Sequence, residues 1–244
     1  LQHKFNVLSI DELLKLKAEF EQKLEQINSY DFQIESLKAE ISKTKSELTD
    51  LANELNKKRN AAKKPFEEKI TYIVENLGIP NMKFEVNIQK TEEFTQTGTD
   101  IITFLFSANK SIAPQPIAKI ASGGELSRLM LAIKYIISKS KTLPTIIFDE
   151  IDTGVSGEIA DRMGSLLQKM SENIQIINIT HLPQIAAKGH SHYFVFKDDS
   201  GDKTTTHVRK LTENERVTEI AKMLSGSNVT ESAIQNAKEL LGTG

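Results

Sequence analysis

From Leu13 onward an apolar residue returns every seven positions: Leu13, Phe20, Ile27, Ile34, Ile41, Leu48, Leu55 and Ala62. A second row stands three positions after these, Leu16, Lys23, Tyr30, Leu37, Thr44, Leu51 and Lys58, and it is mixed in character. One apolar row and one partly apolar row at a seven-residue period are the pattern of a coiled-coil helix. Ser9 followed by Glu12 has the spacing of a capping box, so the helix is predicted to start there. Run from Ser9 to Ala62 at 1.5 Å per residue, it reaches roughly 80 Å. A lone helix cannot bury its own seam, so a partner helix is implied. An ordinary helix bundle is the alternative, and register sustained over this length favours the coiled coil. Ahead of it, Leu1, Phe5 and Leu8 fall on one face, as in the tail of an earlier helix.

Lys63-Lys64-Pro65 is expected to close this arm, because proline disfavours helical geometry in the residue before it and suits the first turn of a new helix. Phe66 to Leu77 reads as that shorter helix, ended by Gly78 and Pro80. Strands are predicted at Lys83 to Lys90 and Ile101 to Phe106, joined through Thr97-Gly98-Thr99. A helix from Glu125 to Ser138 would bury Leu126, Leu129, Met130, Ile133 and Ile137. Thr145 to Phe148 and Ile174 to Ile179 are short apolar runs on either side of a helical stretch, Ser156 to Met170. Strand, helix, strand in that order implies a parallel sheet buried on both faces. His192 to Phe196 and Thr204 to Val208 follow as an edge hairpin, and two helices, Glu213 to Leu224 and Thr230 to Leu241, flank Gly226. The fold class expected is α/β, with 1–64 as a coiled-coil arm and 65–244 as a globular part.

Composition narrows this picture without changing it. The 244 residues are 39% apolar and 26% charged, enough for a core with some surplus of polar surface. A net charge of −2 and a pI near 6.3 make no global electrostatic case for nucleic acid. There is no cysteine, which removes disulfides and thiolate metal sites and suits a reducing compartment. No apolar run approaches a membrane span and no signal peptide is legible, so a cytoplasmic location without membrane contact is expected. The chain opens on Leu1 with no methionine, and it reads as a piece of a larger protein.

Three loops carry candidate chemistry. Ser122-Gly123-Gly124-Glu125 precedes a helix. It is either a plain capping box or a helix start left bare so that its N–H groups approach a phosphate. Asp149 and Glu150 end an apolar strand, where carboxylates hold Mg²⁺ or act on water, or simply begin a polar loop. Asp152 follows in a tight turn, where it can cap what comes next. His181 ends another strand, and it is either structural or at the same sheet edge as Asp149. His190 and His192 lack the further ligands that a metal site needs. No G-x-x-x-x-G-K-[ST] loop and no G-x-S-x-G elbow occur.

In this order SGGELSR, TIIFDEIDTGVSG and THLPQIAA resemble the second half of an ABC-type ATPase head, and the preceding arm is similar to the SMC-like branch of that family. The longer strings PQPIAKIASGGELSRLMLAIK, FDEIDTGVSG, THLPQIAAKGHSHYFVFK, LFSANK and IAKMLSG are similar to a bacterial DNA repair member of that branch, along essentially the whole chain. The resemblance implies the C-terminal lobe of a P-loop NTPase head with a long N-terminal coiled-coil helix. It implies ATP and Mg²⁺ as cofactors and recombinational repair of DNA double-strand breaks as the function. Ser122, Gly123, Gly124 and the following Glu125 would be the nucleotide-contacting signature. Asp149 would hold the metal, Glu150 would be the catalytic base and His181 the switch histidine. Asp152 would belong to a loop at the dimer interface and count among the nucleotide-binding residues. Partners implied are the N-terminal half of the same polypeptide, a second copy across sandwiched ATP, and DNA ends or single strands held without sequence preference. The phosphate-gripping loop would lie in that N-terminal half, so the chain alone is expected to be inactive. Another SMC-like cohesion or repair ATPase, and a non-hydrolysing structural clamp, are the alternatives.

Overall fold

The computed structural model describes residues 2–6, 8–120, 123–139, 144–198 and 204–243. Two units are distinguished, one formed by Leu1–Ala61 with Lys90–Asp100, the other by Ala62–Gln89 with Ile101–Gly244.

In the first unit a short helix α1 (Gln2–Phe5) precedes the long α2 (Ile10–Asn76). The Ser9 cap is present. The Glu12 N–H donates to Ser9 Oγ (3.2 Å), and Glu12 Oε2 accepts from the Leu8 and Ser9 amides (2.8 and 3.2 Å). Phe5 sits back against Phe20, ring centroids 6.0 Å apart, beside an apolar groove of about 430 Å³ lined by Leu13, Leu16 and Leu24. Beyond that, Phe20, Ile27, Ile34, Ile41, Leu48, Leu51 and Leu55 are exposed, so the predicted seam is a bare apolar row. The same unit holds the outer ends of strands β1 (Lys83–Thr95) and β2 (Gly98–Ser107). Both strands are longer than the sequence indicates, because α2 clamps their turn. Arg59 Nη1 donates to the buried Asp100 carboxylate (2.9 Å), Arg59 Nη2 to the Thr97 carbonyl (2.8 Å), Asn56 Nδ2 to Asp100 (2.7 Å), and Lys90 Nζ to Asn53 Oδ1 (2.9 Å). Arg59 holds the Asp100 carboxyl below its usual range against the opposing effect of burial, with help from Asn56.

The expected helix break at Pro65 is not there: α2 continues through it to Asn76. Proline inside a helix forfeits one backbone hydrogen bond and costs about 3 kcal/mol. Burial of the next turns outweighs it. In the second unit Ile70, Ile73, Val74 and Leu77 are core residues, Phe66 meets Phe84 and Phe104 at 5.9 Å, and Glu67 accepts the Val86 amide at 2.7 Å. The helix ends at Gly78, whose φ of 87° belongs to the left-handed region and whose missing Cβ leaves room for Ile159.

The second unit places a two-residue strand β3 (Gln115–Pro116) antiparallel to β2, an element the sequence reading missed. Helix α3 (Gly123–Ser138) buries Leu129, Leu131, Ala132 and Ile133, whereas Met130 and Ile137, expected inside, are exposed. Its apolar face is therefore rotated from the one expected. Strands β4 (Thr145–Asp149) and β5 (Gln175–Ile179) pair in parallel around α4 (Gly157–Ser171). Their expected burial on both faces is not observed. Phe148 is buried, but Ile147, Ile177 and Ile179 are 64%, 44% and 53% exposed. No described element covers that second face.

A short α5 (Pro183–Ala186) leads to the antiparallel hairpin β6 (Tyr193–Asp198) and β7 (Thr205–Lys210), then to α6 (Glu213–Ser225) and α7 (Glu231–Leu241). Thr212 and Glu215 form a capping box on α6, and Thr230 caps α7. Bonds from Thr212 and from Arg209 hold the Glu215 carboxyl at about 2. These helices close a second apolar cluster of Ala187, Ile220, Ala221, Ala233 and Ala237. Arg216, buried, donates through Nη2 to the Ala187 carbonyl (2.8 Å) and to that of Gly189. Among the described residues no helix is long and apolar enough to cross a membrane.

Candidate functional site

The parallel pair sets the geometry. Asp149 is in register with Ile179, the last pair of β4 and β5, so Glu150 and Thr180 leave the sheet side by side at its carboxyl edge. That edge is where open α/β sheets present ligand-binding groups. The Glu150 N–H donates to the Ile179 carbonyl (3.2 Å), extending the ladder by one bond. Glu150 then turns with φ of 48°. A non-glycine residue in that region costs on the order of 1 kcal/mol and persists where its surroundings impose it. Both carboxylate-bearing residues, Asp149 and Glu150, are exposed, as is His181. The two strand-end loops are thus brought together as the sequence led us to expect.

Asp152 behaves differently from its neighbours: it is 1% exposed. The Thr180 hydroxyl donates to Asp152 Oδ2, while Oδ1 is buried with no hydrogen-bond partner among the described residues. His181 Nδ1 lies 4.0 Å from Asp152 Oδ2. The Val155 amide donates to the Asp152 carbonyl (3.2 Å), and the Thr153 hydroxyl to the Glu150 carbonyl (2.9 Å), closing the turn.

The start of α3 meets this same loop. A Cβ on Gly124 would stand 3.0 Å from the Thr153 carbonyl oxygen and 3.5 Å from Arg128 Nη1, whereas a Cβ on Gly123 would meet nothing within 4 Å. Gly124 is thus required by close packing, and Gly123 leaves open space at a helix terminus whose first N–H groups have no intrahelical acceptor. Ser122 lies outside the described residues. Glu125 occupies the first turn of α3. Arg128 follows one turn after Gly124; its Nε is buried with no hydrogen-bond partner, and burial pushes its guanidinium below the ordinary arginine value against the pull of Glu125. Sequence reasoning missed Thr180, Thr153 and Arg128. The signal for Thr180 was a hydroxyl at the strand end just before the histidine, and for Arg128 a cation four positions after Gly124.

The donor set at the edge is hard oxygen, exposed and incomplete. Among the described residues no cluster of three or more histidine, cysteine or carboxylate side chains could hold a metal alone. That combination fits Mg²⁺, which takes one or two carboxylates and fills its remaining positions with water and phosphate oxygens.

No protein-family model matches the chain. It is 38% identical over 242 residues to the DNA repair protein RecN of Vibrio cholerae, covering 99% of this chain and 44% of that protein. RecN of Rickettsia bellii is 40% identical over 244 residues (99% and 44%), and RecN of Bacillus subtilis 33% identical over 248 residues (96% and 43%). The chain spans less than half the length of these relatives. Among solved structures, the Smc head domain with an extended coiled coil from Pyrococcus furiosus superposes with a TM-score of 0.56 at 20% identity, over 88% of this chain and 52% of that one. An Smc head with a coiled coil and joint from Pyrococcus yayanosii gives 0.55 at 17%, over 88% and 42%. The expected fold class, an ATPase-head lobe with a long N-terminal helix, is therefore met by these likenesses. In sequence the chain is RecN-like from end to end, and in fold it is like an Smc head with its coiled coil.

Proposed function

We propose that this chain is the C-terminal part, residues 1–64 as coiled-coil arm and 65–244 as head lobe, of an SMC-like ATPase acting in recombinational repair of DNA double-strand breaks. One observation carries the reading: the β4–β5 register puts Asp149, Glu150 and the Thr180-His181 turn at one carboxyl edge, with the start of α3 packed against the same loop.

In this reading Asp149 holds the Mg²⁺ that neutralises the nucleotide's phosphate charge when bound. Glu150 takes the proton of the attacking water as its oxygen bonds to the γ-phosphorus, and ADP departs with the electrons of the broken P–O bond. A positioned carboxylate base contributes about 10²- to 10⁴-fold. His181, at the same edge, would donate to a γ-phosphate oxygen. Ser122, Gly123, Gly124 and Glu125 act as the signature that contacts the γ-phosphate of a nucleotide held by a second copy, as bare helix termini bind anions. Each site in the dimer is then composite, and hydrolysis parts the heads.

The N-terminal half of the longer polypeptide is the partner that supplies the phosphate-gripping loop. Its presence is supported by the exposed Ile147, Ile177 and Ile179 face and by a sheet of only two strands, marginal without further cover. The apolar seam of α2 supports an outbound helix as its mate. DNA contact is expected to be with phosphates, without sequence preference.

The test is Mg²⁺-dependent ATP hydrolysis by the chain alone and mixed with the separately made N-terminal half. Activity in the mixture alone supports a composite site. A well-formed complex with no activity, with or without DNA, favours the non-hydrolysing clamp instead.

A further inference from the structure

The Asp152 carboxylate is enclosed by protein, yet among the described residues it receives one hydroxyl donor, and the ring nitrogen Nδ1 of His181 stands 4.0 Å from its Oδ2. Burying a carboxylate so thinly compensated is unfavourable, so the fold retains it against a cost. Its partner is well chosen for position. Thr180 donates to Asp152 Oδ2 and in turn accepts the Leu182 amide at 3.0 Å. His181 therefore stands between two residues that are both tied, through one hydroxyl, to the loop bearing Glu150. The other end of that loop is fixed by the Asp152 carbonyl, which accepts from Val155, and by the Glu150–Ile179 bond.

We propose that Asp152 is a positioning residue: through the Thr180 hydroxyl it holds the His181 turn in register with Glu150, so that histidine and base reach one nucleotide together. The side chain works from inside the loop and does not touch nucleotide itself, whichever surface the loop's outer face meets. This rests on the ATPase reading above. Without the Asp152–Thr180 bond, what holds the 180–182 turn to the β4 loop among the described residues is the Glu150–Ile179 bond before it and the 4.0 Å approach of His181 to Asp152, and the spacing between His181 and Glu150 loosens.

The experiment uses the complete polypeptide with ATP and Mg²⁺, and reads kcat and KM for Thr180→Val, Thr180→Ser, Asp152→Leu and the Asp152→Leu/Thr180→Val pair, with Glu150→Gln as reference. Thr180→Val is expected to lower kcat by about tenfold or more while KM stays within about twofold, since small misplacement of catalytic groups costs up to ~10². Thr180→Ser, which keeps the hydroxyl, restores parental kcat. The paired variant is no slower than Asp152→Leu alone, because both changes break one interaction. Should Thr180→Val fail to fold, Asp152→Leu, which keeps the volume and removes both acceptors, is read for the same split between kcat and KM. Parental kcat in Thr180→Val or Asp152→Leu, or a Thr180→Ser as slow as Thr180→Val, overturns the positioning role while a slow Glu150→Gln leaves the ATPase reading standing. Unchanged turnover in Glu150→Gln removes the ATPase reading, and this inference with it.

Discussion

The Glu150 amide donates to the Ile179 carbonyl at 3.2 Å, one step past the last register pair of the parallel strands. This bond joins the two strand-end loops before either has left the sheet. It sets the acid side chain of one loop and the histidine of the other on a common edge, with Glu150 held at positive φ. A strained, exposed carboxylate at the mouth of a parallel sheet is a poor structural choice and a good chemical one.

Replacement of that carboxylate by its amide tests the chemistry directly. In the complete polypeptide Glu150→Gln should lower steady-state ATP turnover by about 100-fold or more, as expected for loss of a general base. ATP-dependent dimers should outlast those of the parent in size-exclusion chromatography. Turnover at the parental rate would take Glu150 out of its proposed role.

The two glycines of α3 should part company. Gly123→Ala adds a methyl to open space at a helix start, so the thermal midpoint should hold or rise. ATP-driven dimerisation should weaken if a phosphate approaches there. Gly124→Ala instead presses on the Thr153 carbonyl, and should lower the midpoint and the activity together. Equal effects of the two changes on stability would contradict this packing.

Exposed Ile27, Ile34 and Ile41 make the lone arm adhesive. Sedimentation of the isolated chain should show concentration-dependent self-association, and Ile27→Lys/Ile34→Lys/Ile41→Lys should abolish it. A monomer at every concentration in the parent would show that this seam needs no mate.

The Arg59–Asp100 pair should govern the hairpin turn. Asp100→Ala removes a buried acceptor from a cation and an amide, and local stability should fall by about 2–4 kcal/mol, read as faster amide exchange over residues 90–100. Because the folded state holds this carboxyl below its ordinary value, its stabilisation is present above about pH 4 and is lost as pH falls through the folded value. Protection of these amides, relative to their intrinsic exchange rate at each pH, should therefore fall in acid in the parent and be insensitive in the variant.

His192 should make the second unit acid-sensitive at a higher pH. Burial, then the nearby Arg216 cation, pushes its imidazole below the ordinary value, with Glu219 opposing. The native state thus favours the neutral ring. Its contribution is full above about 6.5, the unfolded value, and falls as pH drops below it. Denaturant midpoints measured at pH 8 and 5.5 should differ in the parent and converge in His192→Gln. A parent with no such difference would count against the burial of this ring.

Much of the local structure was legible because it depends on near neighbours. The Ser9–Glu12 cap, the seven-residue period of the arm and the strand–helix–strand order of β4, α4 and β5 all came from spacings of a few residues. The shared edge of Asp149, Glu150 and His181 followed from that order, since parallel strands end on the same side. What failed were local rules overruled by distant contacts. Pro65 should have ended α2, and burial of Phe66, Ile70 and Val74 carried the helix past it. Met130 and Ile137 looked internal by period, but the face of α3 was chosen by what packed against it.

By itself, then, the sequence determined the elements, their order and the residue types at each strand end, because helical and extended periodicity are encoded within a few positions. Only the tertiary structure decided that Asp152 turns inward to Thr180, that Gly124 but not Gly123 is needed for packing, and that Arg59 clamps a turn 41 residues away. Such pairings depend on which side chains folding brings within hydrogen-bond reach and on the burial that makes leaving them unpaired costly.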